Sequence, residues 1–146
     1  MQMMATNRKR VLIVDDNKSL VLVAARVLEK EGYDVSTAFD GMEGVAKAQT
    51  EKPDLIILDI GMPGPDGYEV CRELKMDPNT ANIPVVFLSS KGNLDEREGP
   101  SATGLKEVKL AYSLGAYDFI HKPISARELI TVVNDAFALD KIISSD

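Results

Sequence analysis

The chain has 146 residues, enough for one compact domain with a core of useful size. Apolar residues make up 45% and charged residues 27%, with a net charge of −6, so the basic footprint that nucleic acid or an anionic membrane requires is absent. A single cysteine and a single histidine exclude an intrachain disulfide and leave a zinc site short of ligands. The opening MQMMATNRKR lacks the apolar stretch of a signal peptide, and no apolar run reaches the length of a membrane span. A reducing cytoplasm is the expected location.

Residues 1–8 read as a loose N-terminal segment, 9–140 as the domain, and 141–146 as a tail or the start of a linker. Along the domain, Val11–Val14 is the first short apolar run, the pattern of a strand buried on both faces. Leu20, Val23, Ala24, Val27 and Leu28 then recur at helical spacing, and Gly32 is the stop. Tyr33–Phe39 is a second strand candidate, with β-branched Val35 and Thr37. A second helical pattern spans Gly41–Glu51 and ends before Pro53. Leu55–Leu58 is the third strand, and a third helix begins near Asp66, carrying Val70, Cys71 and Leu74. Val85–Leu88 is the fourth strand. Leu105, Val108, Tyr112 and Gly115 outline a fourth helix, and Tyr117–Ile120 a weaker fifth strand. The fifth helical pattern is the clearest, with Ser125 and Glu128 as a capping box before Leu129, Val132, Val133, Ala136 and Phe137. Strand and helix thus alternate five times. The expected fold is α/β, a doubly wound five-stranded parallel sheet, flavodoxin-like (βα)5, with strand order 2-1-3-4-5. Ligands of such sheets bind beyond the carboxyl ends of the strands, where the strand order reverses.

Those ends carry the chemistry. Asp15 and Asp16 follow the first strand and Asp59 the third, which brings three carboxylates to one crevice. Like charges buried together raise one another's pKa unless a cation shares the site, and a hard divalent ion such as Mg2+ is the natural companion of such oxygens. The plainer alternative is that Asp15 and Asp16 only cap the first helix. Ser89 ends the fourth strand and Lys122 the fifth. A carboxylate nucleophile, a metal site, a hydroxyl and an ammonium are what phosphoryl transfer requires.

The segments VLIVDD (Val11–Asp16), LIILDIGMPGPDG (Leu55–Gly67), VVFLSS (Val85–Ser90) and GAYDFIHKP (Gly115–Pro123) resemble the receiver domains of bacterial response regulators, chemotaxis-regulator-like modules of two-component signalling. The resemblance covers about residues 9 to 140 and is most specific after Asp59 and at Lys122-Pro123. It implies that Asp59 is the phosphoacceptor and that Asp16, Asp59 and the backbone carbonyl of Gly61 bind Mg2+, with Asp15 acting through water. It implies that Ser89 and Lys122 bind the phosphoryl group, that Ser89 and Phe119 form the switch, and that the Lys122-Pro123 bond is cis. Such a module takes its phosphoryl group from a sensor histidine kinase or a phosphotransfer protein. It signals through the face of its fourth helix, fifth strand and fifth helix to a downstream effector the residues do not name. It touches neither nucleic acid nor membrane itself, and it is a signalling phosphoacceptor, not an enzyme. Core packing is the plainer reading of Phe119, as of Cys71; His121 should point away from Lys122 with no chemical role, and Gly64 and Gly67 are expected to supply backbone freedom.

One stretch departs from the family. About residues 91–104, KGNLDEREGPSATG, make the span between Ser89 and Lys122 longer than usual. The insertion is a tolerated surface loop, a remodelled approach to the fourth helix that recognises a partner, or a cover that slows phosphate loss. Two other functions compete with the leading one. An Asp-nucleophile phosphatase or hydrolase would need a general acid near Asp59, yet the residue two positions on is Gly61. A degenerate receiver acting only as a binding module would not need the complete acid set. Whether the domain stands alone or belongs to a longer protein is left open.

Overall fold

The four-residue apolar runs become the middle of a sheet because no polar side chain interrupts them on either face. The computed structural model describes residues 8–89, 109 and 112–144, with side chains to residue 138. Its elements run β1 (Arg10–Val14), α1 (Lys18–Lys30), β2 (Asp34–Ala38), α2 (Gly41–Glu51), β3 (Leu55–Asp59), α3 (Gly67–Met76), β4 (Val85–Ser89), β5 (Ala116–His121) and α4 (Ala126–Ser144). The strands form one parallel sheet in the order β2-β1-β3-β4-β5, as expected. All five residues of β3 and of β4 are buried, whereas edge strand β2 is half-buried along most of its length. Of the expected N-terminal segment, residues 1–7 lie outside the described residues. So do the insertion at 91–104 and Leu105 and Val108 of the fourth helical pattern; Tyr112 and Ser113 are helical. The fifth pattern is α4, and it continues to Ser144, past the domain end expected at 140.

Two apolar layers cover the sheet. Val45 and Ala48 of α2 and Val70, Cys71 and Leu74 of α3 pack on Leu12, Val14, Ile56, Leu58, Val85 and Phe87. Val21, Ala24, Ala25 and Leu28 of α1 and Leu129, Val133 and Ala136 of α4 pack on Val11, Ile13, Leu55, Ile57, Val86, Leu88 and Ile120. Alternation along each strand sends successive side chains to opposite layers. Between β4 and β5 the alternation is interrupted. Val85 pairs with Ala116 and Val86 with Asp118, so Tyr117 is an extra residue in the ladder. Beyond it Phe119 shares the layer of Phe87, and Ile120 that of Leu88.

Caps set the helix starts. Asn17, not Asp15 or Asp16, caps α1 by accepting from the Leu20 N–H at 3.1 Å. The capping alternative for the acidic pair therefore falls on the next residue instead. Asp40 caps α2 through the Glu43 N–H, and Asp66 and Glu69 form a complete capping box at α3. At α4, Ser125 Oγ accepts from the Glu128 N–H at 2.9 Å. Gly32 ends the turn after α1 at φ +97, a left-handed backbone that suits glycine.

Candidate functional site

β1 and β3 are neighbours, but the chain leaves β1 toward β2 and leaves β3 toward β4, so a crevice opens beyond their carboxyl ends. Asp59 and Ser89 are the last residues of β3 and β4; Asp15 follows β1 and Lys122 follows β5. Asp15, Asp59 and Ser89 are buried, and Asp16 is exposed at the rim. One carboxylate oxygen from each of Asp15, Asp16 and Asp59 lies within 4.8 Å of the others. Lys122 Nζ lies 2.9 Å from Asp15 Oδ2 and 3.2 Å from Asp59 Oδ1. Asp15 Oδ1 also accepts from the Asn17 N–H at 3.0 Å, which ties the acid to the start of α1.

Backbone contacts hold this geometry. The Lys122 N–H donates to the Ser89 carbonyl at 2.7 Å, and the Ile60 N–H to the Leu88 carbonyl at 3.0 Å. The Lys122-Pro123 bond is cis, as expected. Gly64 has φ +76 and supplies the backbone freedom expected of it. Gly67 serves differently. Its φ is not positive; a Cβ there would lie 2.3 Å from the Asp59 carbonyl oxygen and 2.7 Å from Ile60 Cα. Glycine is required because α3 begins against the strand that carries Asp59, and the Gly67 N–H donates to the Ile60 carbonyl at 3.0 Å. A D-G pair at the cap was the available signal, but its meaning depends on how closely strand and helix approach.

The electrostatics follow from crowding. Burial pushes the Asp59 carboxyl above its usual range, and the charge on Asp15 pushes the same way. Lys122 and the Gly61 N–H, which donates to the Asp59 carboxylate, pull it back only in part. Burial disfavours the Lys122 ammonium, but Asp15 first and Asp59 second outweigh this and hold its pKa above the usual lysine value. Three carboxylates thus face one ammonium. Hard oxygen donors at this separation with an uncompensated negative charge fit a divalent cation of the Mg2+ type.

The aromatic residues form a row on the α2/α3 side. Tyr68 and Phe87 have ring centroids 5.5 Å apart, Phe87 and Phe119 6.5 Å, and Phe119 and His121 5.2 Å. Phe119 is half-buried, packed against the core beside Phe87, and His121 is exposed. Cys71 is buried with Sγ 3.7 Å from the Leu114 carbonyl, and burial raises its thiol pKa, consistent with packing.

Residues 11–134 match the family model described as the response regulator receiver domain. The chain belongs to that family. As a receiver domain of two-component signalling it is 42% identical over 121 residues to the alkaline phosphatase synthesis transcriptional regulatory protein PhoP of Bacillus subtilis, covering 83% of this chain and 45% of that protein. It is 45% identical over 115 residues to the response regulator PleD of Caulobacter vibrioides, covering 79% of this chain and 23% of that protein. The chain therefore spans less than half the length of these relatives. Among solved structures it resembles a CheY-like receiver domain protein of Methanospirillum hungatei, with TM-score 0.79, 25% identity and coverage of 94% and 100% of the two chains. It also resembles the chemotaxis protein CheY4 of Vibrio cholerae, with TM-score 0.76, 28% identity and coverage of 88% and 98%. Among the described residues, no helix of this receiver is long and apolar enough to cross a membrane.

Proposed function

We propose that the domain accepts a phosphoryl group on Asp59 from a histidine kinase or a phosphotransfer protein. The observation that carries this reading is the placement of the Asp59 carboxylate 3.2 Å from Lys122 Nζ, with Asp15 and Asp16 oxygens within 4.8 Å of its own. An Asp59 oxygen attacks phosphorus, and the P–N bond to the donor imidazole breaks with its electron pair kept by nitrogen. The product is an acyl phosphate on Asp59. Lys122 turns from Asp59 Oδ1 to the new phosphoryl oxygens, and the Ser89 hydroxyl, at the end of the adjacent strand, donates to another. Asp16, Asp59 and the Gly61 carbonyl would hold Mg2+, with Asp15 acting through water. Mg2+ bound there neutralises charge and orients phosphoryl oxygens.

Movement of Ser89 toward the phosphoryl group opens space beside β5, and Phe119 turns inward to fill it. The outer face of β5 and α4 then changes shape for a downstream effector, a population shift between two packings. Nucleic acid and membrane are not contacted by the domain, and its only chemistry is its own phosphorylation and dephosphorylation.

The test is incubation with acetyl phosphate and Mg2+. Wild type gains an acid-stable, base-labile label, and Asp59→Asn gains none. An unlabelled wild type, or an equally labelled variant, overturns the assignment.

A further inference from the structure

His121 stands where the phosphoryl-binding pair meets the switch ring. Its Cα pairs directly with that of Ser89 across the β4–β5 ladder. The next residue in the chain is Lys122, whose N–H is bonded to the Ser89 carbonyl at 2.7 Å. Two residues earlier is Phe119, on the same face of β5, and the two rings lie 5.2 Å apart at 57°. By the same alternation Ser89 shares that face with Phe87, so Ser89, His121 and Phe119 are neighbours on one surface of the sheet.

We propose that His121 is a positioning residue for Phe119, a proposal that rests on the phosphoacceptor reading above. When Ser89 and Lys122 engage a phosphoryl group, the backbone between them that moves is the one carrying His121. Its imidazole lies against Phe119 from the solvent side, while Phe87 meets the same ring from within. A displacement of His121 is therefore passed to Phe119 by ring contact, without a polar group on Phe119. The contact also explains how phenylalanine, which has no hydroxyl to exchange partners, serves as the moving ring. The row continues inward through Phe87 to Tyr68 at the start of α3, so the inner end is braced by core packing and the outer end is held by one exposed ring.

The test uses the whole chain with fluorophenylalanine in place of its four phenylalanines, read by fluorine NMR. The Phe119 signal is assigned by its loss in Phe119→Leu. Acetyl phosphate and Mg2+ are added, and mass spectrometry of the same samples measures the phosphoryl adduct. In wild type the Phe119 signal moves on phosphorylation. In His121→Ala it starts at a different position, and its displacement falls by at least half at equal adduct; in His121→Phe, which keeps a ring, most of the displacement returns. An adduct with an unchanged Phe119 displacement in His121→Ala, or no recovery in His121→Phe, overturns this proposal alone. Absence of an adduct in wild type overturns the phosphoacceptor reading and this proposal with it. Because His121 is exposed, neither substitution removes core packing.

Discussion

Lys122 Nζ is nearer to Asp15, at 2.9 Å, than to Asp59, at 3.2 Å. One ammonium is shared between two buried acids, with the greater claim made by the acid that does not take the phosphoryl group. Asp59 is therefore left with part of its charge uncompensated, and burial holds its pKa up.

Removing that charge should stabilise the metal-free protein. Asp59→Asn is expected to gain about 1 kcal/mol at neutral pH, or roughly 3 °C in Tm. The sign of its pH dependence follows from the raised pKa. The unfolded carboxyl titrates near 3.8 and the folded one higher, so the folded state binds the proton more tightly. Stability contributed by the protonated acid is present below 3.8 and is lost as pH rises through the folded value. Urea melts in a chelator should show the advantage of the variant growing as pH rises from 4 to 7. A constant difference across that window contradicts the like-charge account.

Mg2+ should raise the Tm of wild type, because an ion bound only by the folded state stabilises it by mass action. Asp16 is exposed and adds no buried charge, so Asp16→Asn should alter metal-free stability by less than about 0.5 kcal/mol. The same variant should lose most of the Mg2+-dependent rise in Tm. Calorimetric scans with and without the ion separate the two effects.

Two glycines near Asp59 should respond in opposite ways to alanine. Gly61 has nothing within 4 Å of where a Cβ would stand, so Gly61→Ala should cost no more than about 0.5 kcal/mol. At Gly67 the Cβ would meet backbone at 2.3 Å, and Gly67→Ala should cost at least about 2 kcal/mol. Denaturant midpoints measure the contrast, and labelling by acetyl phosphate should fall in Gly67→Ala as the end of β3 is displaced.

Cys71 should be inert in the native protein. Its side chain is buried and its thiol pKa is raised by burial. Reaction with a thiol reagent should be on the order of a hundredfold slower than in urea. Fast reaction under native conditions contradicts the packing assignment.

Much of this arrangement was legible before any coordinates. Val11–Val14, Leu55–Leu58 and Val85–Leu88 read as fully buried strands because a central parallel strand needs apolar residues on both faces. Once those strands were fixed, Asp15, Asp59, Ser89 and Lys122 had to share an edge. What escaped notice depends on contact between elements. The cap of α1 moved from the acidic pair to Asn17, since three adjacent residues there can all accept a backbone N–H. Gly67 read as a turn glycine, because a close approach of strand and helix leaves no mark on composition. His121 read as a bystander, because alternation turns it away from Lys122 but does not reveal the ring it turns toward.

The extra residue at Tyr117 carries a further consequence. In most surface loops a deletion shortens the path and little else. Deleting one residue here would exchange inside for outside from Asp118 to Lys122. Phe119 would leave the layer of Phe87, and the ammonium would no longer face the acids. The irregular pairing acts as a frame setting for everything that follows it in β5, so insertions and deletions at that point should be far less tolerated than substitutions.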